Sequence, residues 1–220
     1  MTAVEEAFAR ARAEDRAALV GYLPAGFPTV DASVRALRTM AEAGCDVLEI
    51  GLPYSDPVMD GPTIQAAAQQ ALEAGTRTAD VLRVVEEVAA TGVATLVMTY
   101  WNPVERYGVE RFAADLANAG GSGLITPDLT PDEAGPWLEA SAAHDLDRVF
   151  LVAPSSTEER LRYTTGHCSG FVYAAAWAPS ETPIPTPIGR SVTARVRSTS
   201  GPASALVEVR APVTPMTAAA

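Results

Sequence analysis

Glu49 lies in the run Asp46-Val47-Leu48-Glu49-Ile50-Gly51, one acid near the end of an otherwise apolar segment. Along a strand successive side chains face opposite sides, so Val47, Glu49 and Gly51 share one face and Leu48 and Ile50 the other. If the apolar face packs on helices, Glu49 points to the opposite, interior side. A carboxylate there loses hydration, and its pKa rises toward the range useful for proton transfer. The alternative is a structural carboxylate paired with an Arg, as buried acids usually are. The segment from Leu52 to Gln65 adds Asp56 and Asp60. Carboxylates near one pocket can divide labour, one moving a proton and one staying ionised. Both aspartates also fit turn chemistry: Asp60-Gly61-Pro62 is a good helix entry with Pro62 at the first helical position, and Asp56 precedes Pro57.

The rest of the inventory removes other chemistries. All sixteen basic residues are Arg. Without Lys there is no Schiff-base nucleophile, no covalently held pyridoxal cofactor and no Walker-type phosphate loop. Cys45, Cys168, His144 and His167 show no zinc-ligand spacing, so no metal is expected and both cysteines read as reduced. The net charge of −11 argues against a nucleic-acid surface, which needs clustered cations. No apolar run reaches the ~18 residues of a membrane helix. Met1 to Arg16 alternates Ala with acids and Arg, unlike a secretory signal. A cytoplasmic location is the default expectation.

The elements that must hold Glu49 and Asp60 alternate regularly over residues 1–176. Strands are expected at Ala18–Leu23, Val47–Ile50, Thr95–Tyr100, Gly123–Thr126, Arg148–Val152 and Gly170–Ala175. Helices are expected at Val30–Ala43, Thr63–Ala74, Thr78–Ala90, Val109–Ala119, Pro131–Ala143 and Thr157–Thr165. This rhythm predicts an α/β fold with a parallel sheet, either doubly wound or a closed (β/α) barrel. The dinucleotide-binding fold needs a glycine-rich loop after its first strand. Pro24-Ala25-Gly26-Phe27-Pro28 stands there instead, which favours the barrel. A barrel's active site lies at the C-terminal ends of its strands, where Glu49 and the loop after it belong.

The resemblance becomes specific in the longer motifs. Glu49-Ile50-Gly51, Pro53-Tyr54-Ser55-Asp56-Pro57 and Asp60-Gly61-Pro62-Thr63-Ile64-Gln65 resemble the signature of the tryptophan synthase alpha chain family. Tyr22-Leu23-Pro24-Ala25-Gly26-Phe27-Pro28, Met98-Thr99-Tyr100-Trp101-Asn102-Pro103 with Tyr107-Gly108, Thr126-Pro127-Asp128-Leu129 and Gly170-Phe171-Val172-Tyr173 follow in the family's order. The resemblance implies a (β/α)8 TIM barrel that cleaves indole-3-glycerol phosphate to indole and glyceraldehyde 3-phosphate, a lyase step of tryptophan biosynthesis needing no cofactor and no metal. It implies that Glu49 is the acid/base at the reacting atoms and that Asp60 bonds the indole N–H. It puts Tyr173 near the scissile end, with Tyr22, Ile64 and Tyr100 lining the pocket. It also implies a partner, the pyridoxal-dependent beta subunit of an α2β2-type complex, met through Pro53, Asp56, Asn102 and Pro103.

From Trp177 onward the character changes. Residues 177–220 hold seven prolines and carry a net charge of +2, against −13 for the rest. Pro183-Ile184-Pro185-Thr186-Pro187 cannot be a central strand or a helix. Only Ala205–Val209 has the composition of a short strand. The expectation is a barrel domain of about six β/α units over 1–176 and a largely disordered, non-family tail over 177–220. The family resemblance implies a Gly-Val-Thr-Gly loop and two further strands with phosphate-binding loops, which the tail does not contain. A chain that is aggregation-prone and nearly inactive when expressed alone is therefore expected, and an inactive remnant or a non-catalytic beta-binding protein is the alternative reading. A shifted reading frame in a GC-rich gene explains a tail of Ala, Pro, Arg, Ser and Thr. Reading the DNA past codon 176 in its other frames should then reveal Gly-Val-Thr-Gly, and its absence from every frame rejects the explanation.

Overall fold

The computed structural model describes residues 1–153 and 155–174, and the backbone strand at 206–208. Eight helices and seven strands follow one another among these residues: α1 (Ala3–Ala13), β1 (Val20–Pro24), α2 (Val30–Glu42), β2 (Val47–Gly51), α3 (Pro62–Glu73), α4 (Thr78–Ala89), β3 (Ala94–Met98), α5 (Trp101–Tyr107), α6 (Val109–Asn118), β4 (Gly123–Thr126), α7 (Gly135–Ala143), β5 (Asp147–Val152), α8 (Glu158–His167), β6 (Val172–Ala174) and β7 (Leu206–Glu208). The strands pair in parallel and strictly in chain order from β1 to β7. A doubly wound sheet would reverse its strand order at a switch point. Sequential parallel order with helical crossovers is the barrel arrangement, here represented by its first six strands and the helices between them.

Side-chain alternation divides the core into two layers. Leu48, Ile50, Val97, Leu124, Phe150 and Val172 face outward and pack with the helices. Val47, Ala94, Leu96, Ile125, Val149 and Phe171 face inward. The register aligns Tyr22 with Glu49 and Glu49 with Leu96, so these residues occupy one level of the interior. The other end of β2 is tied down by Asp46. Its carboxylate accepts two bonds from the Arg16 guanidinium, at 2.6 and 2.8 Å, and one from the Leu19 amide at 2.7 Å. The hydrogen bonds from Arg16 hold this carboxyl below its ordinary pKa.

The first helix closes the bottom of the interior, a role not read from the sequence. Val4, Ala7 and Phe8 of α1 join the inward layer of the strands. Its start is a capping box, in which Thr2 Oγ1 accepts from the Glu5 amide and the Glu5 carboxylate accepts from the Thr2 amide. That Thr-x-x-Glu pattern and the apolar spacing of Val4, Ala7, Phe8 and Ala11 were the available signals. The short helix α5 was also unread. The third strand ends at Met98 rather than Tyr100, because Tyr100 is already the N-cap of α5. Helix α7 begins at Gly135, not Pro131, since residues 131–133 form a turn.

The segment 177–220 lies outside the described residues, except for Leu206–Glu208. These three pair with β6 in the register Val172↔Leu206, Tyr173↔Val207 and Ala174↔Glu208. They lie within Ala205–Val209, the stretch of the tail with the composition of a strand, and they pair β6 on its second side. Among the described residues no helix is long and apolar enough to cross a membrane.

The plug makes a measurable demand on stability. Phe8 is 5% exposed, and its ring centroid lies 5.5 Å from that of Phe171. Truncating a buried aromatic removes its transfer energy and leaves a cavity, so Phe8→Ala should cost about 3 kcal/mol in chemical denaturation. A loss below about 1 kcal/mol would mean that α1 does not close the interior.

Candidate functional site

The C-terminal ends of the strands surround a cavity of about 450 Å³. Glu49 lines it from β2, Asp60 from the loop that follows, Tyr22 from β1, Tyr173 from β6, and Tyr100 and Ile64 from the starts of α5 and α3. The catalytic and pocket residues expected from the sequence are thus brought to one place. The remaining walls are chiefly apolar, with Leu52, Met98, Pro127 and Leu151 among them. None of these four was singled out from the sequence, because nothing separates a lining Leu or Met from a core one before strand directions are known. An apolar, aromatic-walled cavity with a few polar groups suits a flat heterocyclic ligand.

Glu49 is 4% exposed, on a strand whose residues are all buried. Among the described residues its carboxylate has neither a hydrogen-bond donor nor a cationic partner, so the Arg-paired alternative is not what is found. Burial alone pushes its pKa up to about 7. At that value it both gives and takes a proton near neutrality. Tyr22 and Tyr173 stand nearby. Burial, then the charges of Asp60 and Glu49, push the Tyr22 phenol above its ordinary value, and burial with the same two carboxylates pushes Tyr173 up to about 12. Both therefore stay protonated. Tyr22 reaches its position because residue 51 is Gly: a Cβ there would lie 2.3 Å from the Tyr22 hydroxyl oxygen.

Asp60 sits in the loop between β2 and α3, half-buried. Its carboxylate accepts a bond from the Tyr100 hydroxyl at 2.9 Å, and its backbone carbonyl accepts one from Gln65 Nε2 at 2.8 Å. The helix entry read at Asp60-Gly61-Pro62 is present, with Gly61 as N-cap and Pro62 opening α3, but no side chain caps it. The Asp60 carboxylate is thus turned toward Tyr100 and the cavity and does not serve the turn.

The residues assigned to a partner surface separate. Asp56 and Asn102 are exposed, Pro103 is half-buried, and Pro53 is buried. Val58 and Met59, at 80% and 52% exposure, add an apolar rim beside Asp56 that was not singled out. The loops after β2, β3 and β4 are joined: Tyr54 lies against Tyr100 with centroids 5.1 Å apart, and the Asp128 carboxylate accepts from the Trp101 amide at 2.9 and 3.1 Å. A further buried acid, Asp147, opens β5 at the opposite end of the sheet and does not line the cavity. Among the described residues no His or Cys lines the cavity and no cluster of His, Cys, Asp and Glu suits a metal ion.

Burial of Glu49 carries a pH signature. Its folded-state pKa of about 7 exceeds the ordinary 4.5, so folding takes up a proton between those values. This stability is whole below about 4.5 and lost as pH rises through 7. Raising the pH across that window should cost the chain roughly 3 kcal/mol relative to Glu49→Gln, read from paired denaturation curves. Parallel pH profiles for the two proteins would mean that Glu49 is solvated.

Comparison with known proteins agrees with this architecture. The family model described as tryptophan synthase alpha chain matches residues 8–181. The tryptophan synthase alpha chain of Salinispora arenicola is 65% identical over 176 residues, which are 80% of this chain and 66% of that protein. This chain therefore spans just under two thirds of that relative's length. A tryptophan synthase structure from M. tuberculosis superposes with a TM-score of 0.78 at 58% identity, covering 79% of this chain and 70% of that one. The tryptophan synthase subunit alpha of Legionella pneumophila gives 0.76 at 32% identity, over 80% and 68%. With more than half its residues matched by the family model and its sheet superposing on these structures, the chain belongs to the tryptophan synthase alpha chain family.

Proposed function

We propose that the cavity binds indole-3-glycerol phosphate and performs the alpha reaction of tryptophan synthase, a retro-aldol cleavage to indole and glyceraldehyde 3-phosphate. The observation that carries this reading is the pairing of two carboxylates in different surroundings on one apolar cavity. Glu49 is buried, with no partner among the described residues and a pKa near neutrality; Asp60 is half-buried and hydrogen-bonded.

The reaction asks for both. Protonation of the indole C3 makes the ring an electron sink. The bond from C3 to the glycerol carbon then breaks, its electron pair returning to the ring, while the hydroxyl on that carbon loses its proton and becomes the aldehyde carbonyl. Glu49, able to hold or release a proton near neutrality, serves C3 and the hydroxyl in turn. Protonation at C3 sends positive charge to the ring nitrogen, and the Asp60 carboxylate faces that charge across the N–H bond. Tyr22, Tyr100, Tyr173 and Ile64 hold the ring flat between apolar walls. This chemistry uses no cofactor and no metal.

We also propose that the chain docks a tryptophan synthase beta subunit through the rim that carries Asp56, Asn102 and Pro103, with Val58 and Met59 as its apolar part. Pro53, being buried, acts by shaping the loop and not by direct contact.

An indole-release assay on indole-3-glycerol phosphate, with and without a beta subunit, tests the activity. Glu49→Gln should lower turnover by at least ~10²-fold, the scale of a positioned proton-transfer group. Asp60→Asn should be of similar severity, since it removes the charge that offsets the protonated ring. Wild-type turnover in either variant would make that carboxylate structural. Docking is tested by calorimetric titration into a beta dimer: heat and co-elution are expected, and neither with a folded sample would reject the partner.

A further inference from the structure

The three tyrosines of the cavity are equivalent in the sequence but not in their hydrogen bonds. Tyr22 and Tyr173 have no hydroxyl partner among the described residues. Tyr100 has three: it donates to Asp60 Oδ2 at 2.9 Å and accepts from the amides of Val58 at 3.1 Å and Met59 at 2.9 Å. A phenol carries one donor and two acceptor positions. All are used, so the Tyr100 hydroxyl has nothing left to offer a ligand.

We propose that Tyr100 is a positioning residue that sets the Asp60 carboxylate, tying it and the backbone of Val58 and Met59 into one unit so that a single carboxylate oxygen remains for the ligand. This rests on the reading of Asp60 given above. Oδ2 is occupied by the phenol; Oδ1 is left to receive the heterocycle N–H. The loop needs such a tie. Val58 and Met59 are largely exposed and make no core of their own. Beyond Asp60, the Gln65 bond to the Asp60 carbonyl fixes the α3 side. The Tyr100 ring is itself held, 6% exposed and packed against Tyr54. Burial, then the bond to Asp60, raises the Tyr100 pKa, so the donated proton stays on the phenol through the neutral range.

Tyr100→Phe keeps the ring and its packing and removes only the tie. Two part-buried amides and a carboxylate then lose a partner, a change worth about tenfold in a local equilibrium. Amide exchange at Val58 and Met59 should accelerate by about tenfold, while β2 and β3 amides stay as in the wild type. Turnover should fall by about tenfold with a smaller change in KM, because the loss falls on orientation of Asp60. In an Asp60→Asn background the same substitution should cost less than about threefold, since a residue acting through Asp60 cannot act twice. Wild-type exchange at Val58 and Met59, or equal turnover losses in both backgrounds, would overturn the proposal. If Asp60→Asn alone turns over normally, the assignment of Asp60 to the reaction fails, and the exchange data still decide the tie. Should the Phe variant not fold, Asp60→Ala substitutes for it: faster Val58 and Met59 exchange supports the tie, and unchanged exchange rejects it.

Discussion

A carboxylate taken out of water without a cation beside it must either be destabilised or hold its proton. Glu49 is in that position. The β1–β2 and β2–β3 ladders fix its backbone, and among the described residues no group donates to its carboxylate and no cation pairs with it. The elements around it serve this condition. Asp46, gripped by Arg16 and Leu19, anchors the start of β2 three residues before Glu49. The outward Leu48 and Ile50 bury against the helices, so β2 cannot rotate to relieve the inward acid. Gly51 lets Tyr22 approach and keep the carboxylate dry on the β1 side.

The interior is stopped at one end and open at the other. Helix α1 fills the bottom with Val4, Ala7 and Phe8, so the cavity has its mouth at the strand C-termini. There the loops take over, ordered by hydrogen bonds and by the contact of Tyr54 with Tyr100. Tyr100 holds the Asp60 loop, Gln65 fixes its far side, and Asp128 reaches back to the start of α5. The same loops carry the exposed Asp56, Val58, Met59 and Asn102, so the ligand cavity and the outer rim share one framework.

Period-two alternation was enough to turn Glu49 inward, because one buried acid in an apolar strand has only two faces to choose from. The strand–helix rhythm and the Pro-Ala-Gly-Phe-Pro turn were enough for a barrel. The division of labour among tyrosines was not legible, since the Tyr100 bond to Asp60 joins residues forty positions apart and exists only once β2 and β3 are paired. Helix α1 escaped notice because its small, Ala-rich apolar face is weak in hydrophobicity and gains its burial from strands far along the chain. The buried state of Pro53 could not be separated from the exposed state of Asp56 within one loop, where no periodicity operates. The strand at Leu206–Glu208 was readable only from the strand-like composition of Ala205–Val209; that it pairs with β6 is a long-range fact.

The account stands on the ionisation of one group. A ¹³C titration of the Glu49 side-chain carboxyl, resolved by comparison with Glu49→Gln, measures it directly. Burial without a partner predicts a midpoint near 7. A midpoint near the ordinary value of 4.5 would contradict it, and would mean that water or an unseen cation reaches the carboxylate and that the proton chemistry assigned to it lies elsewhere.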